Sequence, residues 1–173
     1  MKILILSNYA NGLYLFRKEV LKTFLDYGYE TVVSVPGDEN CRKIEELGCQ
    51  LIVTDFERRG NNPIRDLGLF MNYLRLLREQ KPDIVLTYTI KPNLYGGLAC
   101  RLSKVPYLIN VTGLGTALER PGILGKILLL FYRIATKKAA CVFFQNEGNR
   151  QFMLERKIGS GKDRLLPGSG VNL

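Results

Sequence analysis

One stretch of the chain decides the fold, residues 87–117, which reads TYTIKPNLYGGLACRLSKVPYLINVTGLGTA. The pattern is a strand end, a polar loop, a helix of small residues, a second strand and a glycine-rich loop. The strand that enters it, residues 83–87, has an apolar centre of Ile, Val and Leu, as in a parallel sheet covered on both faces. Gly96 and Gly97 in the helix allow a close approach to that sheet. The stretch therefore predicts a βαβ unit of an α/β domain.

The first loop of this unit places Thr89, Lys91 and Asn93 around Pro92. Proline suits the first turn of a helix because the N–H that it lacks has no intrahelical partner there. A helix that begins here directs free N–H groups, a lysine and the hydroxyls of Thr87 and Thr89 toward one place. Proteins hold anions in this way, so the loop predicts an anion site.

The second loop follows the strand Tyr107–Val111 and contains Thr112, Gly113, Gly115 and Thr116. Glycines let backbone N–H groups come close to a ligand. Two neighbouring strands thus end in polar loops at the carboxyl edge of one sheet, where open α/β sheets bind ligands. The alternative is that both loops are only tight connections.

Bulk composition restricts the class of partner. A length of 173 residues, with 46% hydrophobic and 24% charged residues, indicates one globular domain. The net charge of +9 indicates an anionic partner, either phosphate groups, an anionic membrane surface or nucleic acid. The basic residues are spread over several helices without a nucleic-acid motif, which disfavours the last. No apolar run reaches the roughly 20 residues of a membrane span, and the first apolar run is too short for a signal peptide. We therefore expect a cytoplasmic location.

The chain contains no histidine. This excludes Ser-His-Asp and Cys-His catalysis and the H-E-x-x-H zinc site within these residues. The four cysteines lack metal-ligand spacing, and no acidic cluster indicates a divalent cation. Gly159-Ser-Gly-Lys162 is not a Walker loop, because Asp163 stands where Ser or Thr is needed. No metal or other cofactor is expected.

The remaining segments alternate strand and helix. A strand over residues 2–7 leads through Asn8 and Gly12 into a helix that carries Leu13 and Arg17 and stops near Gly28. G-x-G-x-x-G is absent, so this turn gives little support to dinucleotide binding. The alternation predicts a Rossmann-like, doubly wound, mostly parallel sheet of about seven strands flanked by helices. In the helix over about 64–80, five residues form the predicted core stripe, namely Leu67, Phe70, Met71, Leu74 and Leu77.

A second apolar helix, over residues 122–138, carries its charges on one face. Lys126, Arg133 and Lys137 share that face, and the rest of the helix is almost wholly apolar. This pattern is typical of a helix at a membrane surface. A buried helix whose lysines reach outward to solvent has the same pattern, so both interpretations stand.

The last strand–helix unit predicts further polar residues at the same sheet edge. The strand Ala140–Phe144 is followed by Asn146, a good helix N-cap. Gln145, Glu147 and Arg150 could line the same edge. Capping alone explains Asn146 equally well.

Four stretches together resemble a known family. They are Gly12-Leu-Tyr-Leu-Phe-Arg17, Thr89-Ile-Lys-Pro-Asn-Leu-Tyr-Gly-Gly97, Val111-Thr-Gly-Leu-Gly-Thr-Ala117 and Pro167-Gly-Ser-Gly-Val-Asn-Leu173. With them the chain resembles the N-terminal domain of a GT-B, family-4-type retaining glycosyltransferase, of the bacterial group that builds capsule, exopolysaccharide and lipid-linked oligosaccharides. The resemblance implies that residues 1–166 form the acceptor-side domain and that residues 167–173 begin the linker to a donor-binding domain.

The resemblance also implies an activity: transfer of a sugar from a nucleotide-diphosphate sugar to a lipid-diphosphate-linked saccharide. Gly12 and Leu13 would lie near the donor diphosphate, and the polar loop residues above would line the acceptor cleft. Many members carry a histidine where this chain has Thr112-Gly113, so no catalytic residue can be assigned. The implied partners are the C-terminal domain, without which no turnover is expected, and the inner face of the plasma membrane, to which the enzyme would be peripheral.

Two other functions remain compatible with the sequence. One is a GT-B nucleotide-sugar epimerase, which acts on a free nucleotide sugar and does not need an apolar-basic helix. The other is a non-enzymatic Rossmann-like module that binds a small anion. Membrane affinity separates the first of these from the transferase.

Overall fold

The computed structural model describes residues 1–56, 62–115, 122–166 and 168. Seven parallel strands form one sheet in the order β3-β2-β1-β4-β5-β6-β7. The strands are β1 Lys2–Leu6, β2 Glu30–Val35, β3 Gln50–Val53, β4 Ile84–Tyr88, β5 Tyr107–Val111, β6 Cys141–Phe144 and β7 Asp163–Leu165. The direction of winding reverses between β1 and β4, which is the switch point of a doubly wound sheet. The predicted fold class is confirmed.

Helices cover both faces of this sheet. They are α1 Ala10–Asp26, α2 Cys41–Glu46, α3 Pro63–Gln80, α4 Gly97–Ser103, α5 Ile123–Thr136 and α6 Glu147–Glu155, with a π-helical turn over Pro92–Gly96 that leads directly into α4. Leu4 and Leu6 of β1 pack with the residues of α3, α4 and α5, whereas Ile3 and Ile5 pack with α1 and α2. Alternate residues of a strand point to opposite faces, so the domain has two separate cores.

The small-residue helix lies as close to its neighbours as the sequence predicts. A Cβ on Gly96 would lie 2.7 Å from Leu6 Cδ1, and one on Gly97 would lie 3.2 Å from the Cβ of Ala135 in α5. The π-helical turn that contains Gly96 therefore sits directly on β1. This contact fixes the start of α4 at the carboxyl edge of β4.

The predicted core stripe of α3 is wrong in part. Leu67 and Met71 are 61% and 55% exposed, and the buried residues of α3 are Leu69, Tyr73, Leu76 and Leu77. The α3 sequence carries two overlapping apolar stripes, and periodicity alone does not select between them. The helix is rotated so that Asp66 reaches Lys91 and Tyr95, which turns Leu67 and Met71 outward.

Candidate functional site

A cavity opens at the carboxyl edge of the sheet, at the switch point between β1 and β4. Its volume is about 340 Å³. The loop after β1, the first half of α1 and the ends of β4, β5 and β6 supply its lining, which consists of Ser7, Asn8, Tyr9, Gly12, Leu13, Phe16, Arg17, Tyr88, Thr89, Thr112 and Gln145. This edge is where the fold places a ligand.

The start of α1 forms one wall of the cavity. Tyr9 is extended, with φ −160°, and its carbonyl accepts from Leu13 N at 3.1 Å. The first N–H groups of a helix have no intrahelical acceptor and carry the positive end of the helix dipole. Ala10 N donates to Asp38 Oδ2 at 3.2 Å, and helix geometry leaves Asn11 and Gly12 N–H without an intrahelical acceptor. This wall is therefore suited to a negatively charged group.

Gly12 is required at this wall by the ring of Tyr9. A Cβ on Gly12 would lie 2.7 Å from Tyr9 Cδ1, closer than side chains pack. The glycine thus keeps the ring over the first turn of α1 and leaves the cavity open. Asn11 holds the same ring from its other end, because its Nδ2 donates to Tyr9 Oη at 3.0 Å.

Arg17 brings a positive charge into the cavity and is held by Tyr88. Its guanidinium carbon lies 5.4 Å from the centroid of the Tyr88 ring, within cation–π range. Its Nη1 also donates to the carbonyl of Phe16 at 2.7 Å. Burial raises the pKa of Tyr88, against which the charge of Arg17 and a hydrogen bond between the two side chains act. Tyr88 is a site residue that the sequence did not reveal; its position as the last residue of β4 is the only signal.

Thr89 has a strained backbone. Its φ is 73°, in the left-handed region that β-branched residues rarely adopt. Its hydroxyl donates to the carbonyl of Tyr88, and its own carbonyl accepts from Asn93 N at 2.9 Å. Such outliers cluster at ligand sites, and this one lines the cavity.

Lys91 does not present its charge to an anion as the sequence predicted. Its Nζ lies 2.6 Å from Asp66 Oδ1, and the two side chains are only 12% and 16% exposed. Tyr95 Oη donates to the other oxygen of Asp66 at 2.9 Å. The ion pair therefore neutralises Lys91 and joins α3 to the start of α4, outside the lining of the cavity.

Asn93 has a structural role, as Lys91 does. It is buried, and its Oδ1 accepts from Thr87 Oγ1 at 2.7 Å. Its Nδ2 donates to the carbonyl of Asn110 at 2.9 Å. Both polar groups of Asn93 are thus used in tying the π-helical turn to β4 and β5.

Of the second loop, Thr112 lines the cavity, whereas Gly113 and Gly115 do not. Gly115 has φ 69°, and a Cβ there would lie 2.8 Å from the side chain of Ile90. Gly113 is half-buried and is not part of the lining. Thr116 lies outside the described residues.

Of the residues predicted after β6, Asn146, Glu147 and Arg150 serve α6 rather than the cavity. Asn146 Oδ1 accepts from Asn149 N at 2.7 Å as the N-cap. Glu147 forms an ion pair with Arg150 at 2.9 Å on the exposed side of the helix. Gln145, the third residue that we expected at this edge together with Glu147 and Arg150, lines the cavity.

The structure thus brings together seven of the predicted residues at the cavity, namely Asn8, Gly12, Leu13, Arg17, Thr89, Thr112 and Gln145. Their roles toward substrate stay predictions. Among the described residues that line the cavity no carboxylate is present.

The charged face of α5 is exposed, as a surface helix requires. Lys126, Arg133 and Lys137 are all exposed, and Arg133 Nη2 donates to the carbonyl of Arg156 after α6 at 2.8 Å. None of the described helices combines the length and the apolarity needed to cross a lipid bilayer.

Comparison with known proteins gives relatives for the whole chain. The profile of a family described as "Glycosyl transferase 4-like" matches residues 2–146. A Campylobacter jejuni protein, N,N'-diacetylbacillosaminyl-diphospho-undecaprenol alpha-1,3-N-acetylgalactosaminyltransferase, is 30% identical over 178 aligned residues, covering 100% of this chain and 47% of the relative. The chain therefore spans about half the length of the curated relative that it matches.

Two solved structures show the same fold. A glycosyltransferase from Rickettsia africae superimposes with a TM-score of 0.72 at 19% identity, over 95% of this chain and 42% of that one. Anabaena Alr3699/HepE in complex with UDP and glucose gives a TM-score of 0.72 at 15% identity, over 99% and 45%.

Proposed function

The chain belongs to the glycosyl transferase 4-like family, and on that premise we propose that it is the N-terminal, acceptor-side part of a sugar-transferring enzyme. The donor is a nucleotide-diphosphate sugar and the acceptor a lipid-diphosphate-linked saccharide. Residues 1–166 form the domain, and residues 167–173 begin the linker to a donor-binding domain. The Campylobacter relative, whose printed name specifies a diphospho-undecaprenol-linked acceptor, supports this choice of acceptor.

One observation carries the proposal: the cavity at the switch point joins a helix N-terminus to the charge of Arg17. A diphosphate carries negative charge on several oxygens and is bound by N–H groups and guanidinium together. Gly12 and Leu13 face the donor diphosphate, and Thr89 and Thr112 face the acceptor.

The same groups suit the chemistry of transfer. When the sugar leaves the nucleotide diphosphate, negative charge grows on the leaving oxygen. Donors fixed in a partly closed cavity stabilise that charge without reorganising. We assign this role to Arg17 and to the first N–H groups of α1, and we propose that no metal is needed for it.

A lipid-linked acceptor requires the enzyme to work at a membrane. We assign membrane attachment to Lys126 and Arg133 of α5 and to Lys137 directly after it, which are exposed beside an apolar face. The partner is the anionic inner surface of the plasma membrane, where each nearby basic residue contributes about 1 kcal/mol.

The test is the affinity of the purified chain for a matched ligand series by isothermal titration calorimetry. One arm compares geranyl diphosphate, geranyl monophosphate and geraniol, and the other compares UDP with UMP. We expect each diphosphate to bind more tightly than its monophosphate, and geraniol not to bind. Equal affinities for mono- and diphosphates would contradict the proposal. Binding of UDP without any binding of geranyl diphosphate would instead indicate an enzyme that acts on a free nucleotide sugar, such as an epimerase.

A further inference from the structure

The outer side of α3 exposes an apolar stripe that the core does not use. Ile64, Leu67 and Met71 are 81%, 61% and 55% exposed. Their spacing of three and four residues puts them on one face of the helix. Large apolar side chains that share one exposed face mark an interaction surface more often than scattered ones do.

The outer side of α5 carries a second stripe of the same kind. Ile123, Ile127 and Leu130 are 79%, 44% and 50% exposed, again at helical spacing. Tyr132 and Ala135 on the opposite side of this helix are fully buried. The helix therefore has a core face and an outward apolar face.

The π-helical turn and α4 lie between α3 and α5 and contact both helices. On α3, Leu74 is one heptad after Leu67 and borders Leu102 and Val105 at the end of α4. On α5, Phe131 is one turn after Ile127, and its ring lies 6.4 Å from the ring of Tyr95. The exposed apolar stripes of α3 and α5 are thus two parts of one surface, which we call the α3–α5 face.

Charge on the α3–α5 face is positive. The sequences of α4 and α5 contain no acidic residue, and those of α3 are Asp66 and Glu79. Asp66 is neutralised by Lys91, and Glu79 lies 3.9 Å from Arg75. Lys126, Arg133 and Lys137 border the face along α5. An apolar surface with a basic border complements an anionic lipid bilayer.

We propose that the α3–α5 face docks as a unit on an anionic lipid bilayer, with Leu67 and Met71 of α3 entering the lipid together with Ile127 of α5. The inference rests on the proposed function and extends it from one helix to two. Two anchors on separate helices fix the orientation of the domain, which one helix cannot do. The N-terminal halves of α3 and α5 lie at the carboxyl edge of the sheet, so the cavity opens close to the bilayer surface.

The chain contains no tryptophan, so single tryptophans can report on each position. The reporters are Leu67→Trp on α3 and Ile127→Trp on α5. Leu15→Trp on α1 is the matched control, since Leu15 is 62% exposed against 61% for Leu67 and α1 packs on the opposite face of the sheet. Each variant is mixed with vesicles of phosphatidylglycerol and phosphatidylcholine, or of phosphatidylcholine alone, with brominated acyl chains as quenchers.

We expect a blue shift and bromine quenching for Leu67→Trp and Ile127→Trp on anionic vesicles, and neither change for Leu15→Trp. A Leu67→Gln/Met71→Gln variant should sediment with anionic vesicles at least fivefold less than wild type, while Leu15→Gln sediments as wild type does. The inference is overturned if Leu67→Trp stays unshifted while Ile127→Trp shifts, because α5 then acts alone. It is also overturned if Leu67→Trp is blue-shifted without vesicles and the chain sediments as a dimer, because a second copy then covers the face. Diphosphate affinity measured on the same variants reports separately on the proposed function.

Discussion

At the scale of single residues, Arg17 and Thr89 contribute most to the candidate site. Arg17 is the cation of the cavity and Tyr88 holds it, whereas Thr89 places a strained peptide at the opposite rim. Neither property is visible in the sequence: a strand-terminal tyrosine is ordinary, and Thr89 gives no sign that its φ is positive. The sequence did correctly predict that Arg17 and Thr89 lie at the carboxyl edge of the sheet.

Replacing Arg17 tests its role toward the diphosphate. Hydrogen bonds to charged groups contribute about 1.5–3 kcal/mol, so Arg17→Ala should weaken the binding of geranyl diphosphate or UDP roughly 10- to 100-fold. Tyr88→Phe keeps the ring but loses the hydroxyl, and we expect a smaller loss. Calorimetric Kd values provide the measurement. Arg78→Ala at the far end of α3 is the control, and an equal loss in that variant would assign the effect to net charge.

Thr89→Gly tests the strain. A left-handed conformation costs a β-branched residue about 1–3 kcal/mol, which glycine does not incur. The larger conformational entropy of glycine in the unfolded chain offsets about 0.5–1 kcal/mol of this gain. The variant should therefore be more stable than wild type by about 1 kcal/mol in urea denaturation. Thr23→Gly, at an exposed position within α1, should instead lose a few tenths of a kcal/mol. A destabilised Thr89→Gly would show that the conformation carries no strain.

At the scale of elements, the close contact of the π-helical turn with β1 sets the geometry of the first loop. The Gly96–Gly97 pair predicted that contact, and the pattern of buried strands predicted the parallel sheet. The rotation of α3 was not predictable, because the Asp66–Lys91 pair that fixes it joins residues on separate elements. Lys91 was predicted to bind a ligand because the sequence does not reveal that Asp66 is its partner.

Two glycine-to-alanine variants distinguish the effect of packing on stability from the effect of helix propensity. Gly96→Ala would put its Cβ 2.7 Å from Leu6 Cδ1 and 3.3 Å from Thr87 Cγ2, so overpacking should cost about 1–3 kcal/mol. Gly68→Ala on α3 meets no atom within 4 Å and should gain about 0.5–1 kcal/mol from propensity. Urea denaturation of both variants gives the comparison. Equal effects of the same sign would contradict the close contact.

Lys91→Met separates a structural lysine from a ligand-binding one. Loss of the ion pair leaves Asp66 uncompensated in a mostly buried position and should reduce stability by about 2 kcal/mol, less than a fully buried pair. The Kd for geranyl diphosphate should change less than about threefold, because Lys91 is paired with Asp66 and does not line the cavity. A tenfold loss of affinity at unchanged stability would restore Lys91 to the site.

At the scale of the whole molecule, the net charge of +9 indicates an anionic partner, and the structure gives part of that charge a location. The charges of Lys126, Arg133 and Lys137 border the α3–α5 face, and the charge of Arg17 lies in the cavity. The composition predicted that the charge of the partner is negative. Placing the surface required knowing which side of each helix faces outward.

Charge location can be tested with two variants of equal net charge. A triple variant with glutamine at Lys126, Arg133 and Lys137 should lose most of its salt-sensitive binding to anionic vesicles in co-sedimentation. The control removes the same number of charges on the opposite face of the sheet, at Lys22, Arg42 and Lys43. If the two triple variants bind equally, total charge rather than the helix surface drives the attachment.

We propose above that the cavity between β1 and β4 receives a diphosphate. A ¹H–¹⁵N NMR titration of the chain with pyrophosphate, followed at the backbone amides and at the Arg17 side chain, tests it most directly. If pyrophosphate binds there, shift changes are expected at Asn11, Gly12, Arg17 and Thr89, and these changes should be lost in Arg17→Ala. Shift changes confined to the lysines and arginines of the opposite sheet edge, with the cavity residues unmoved, would contradict it.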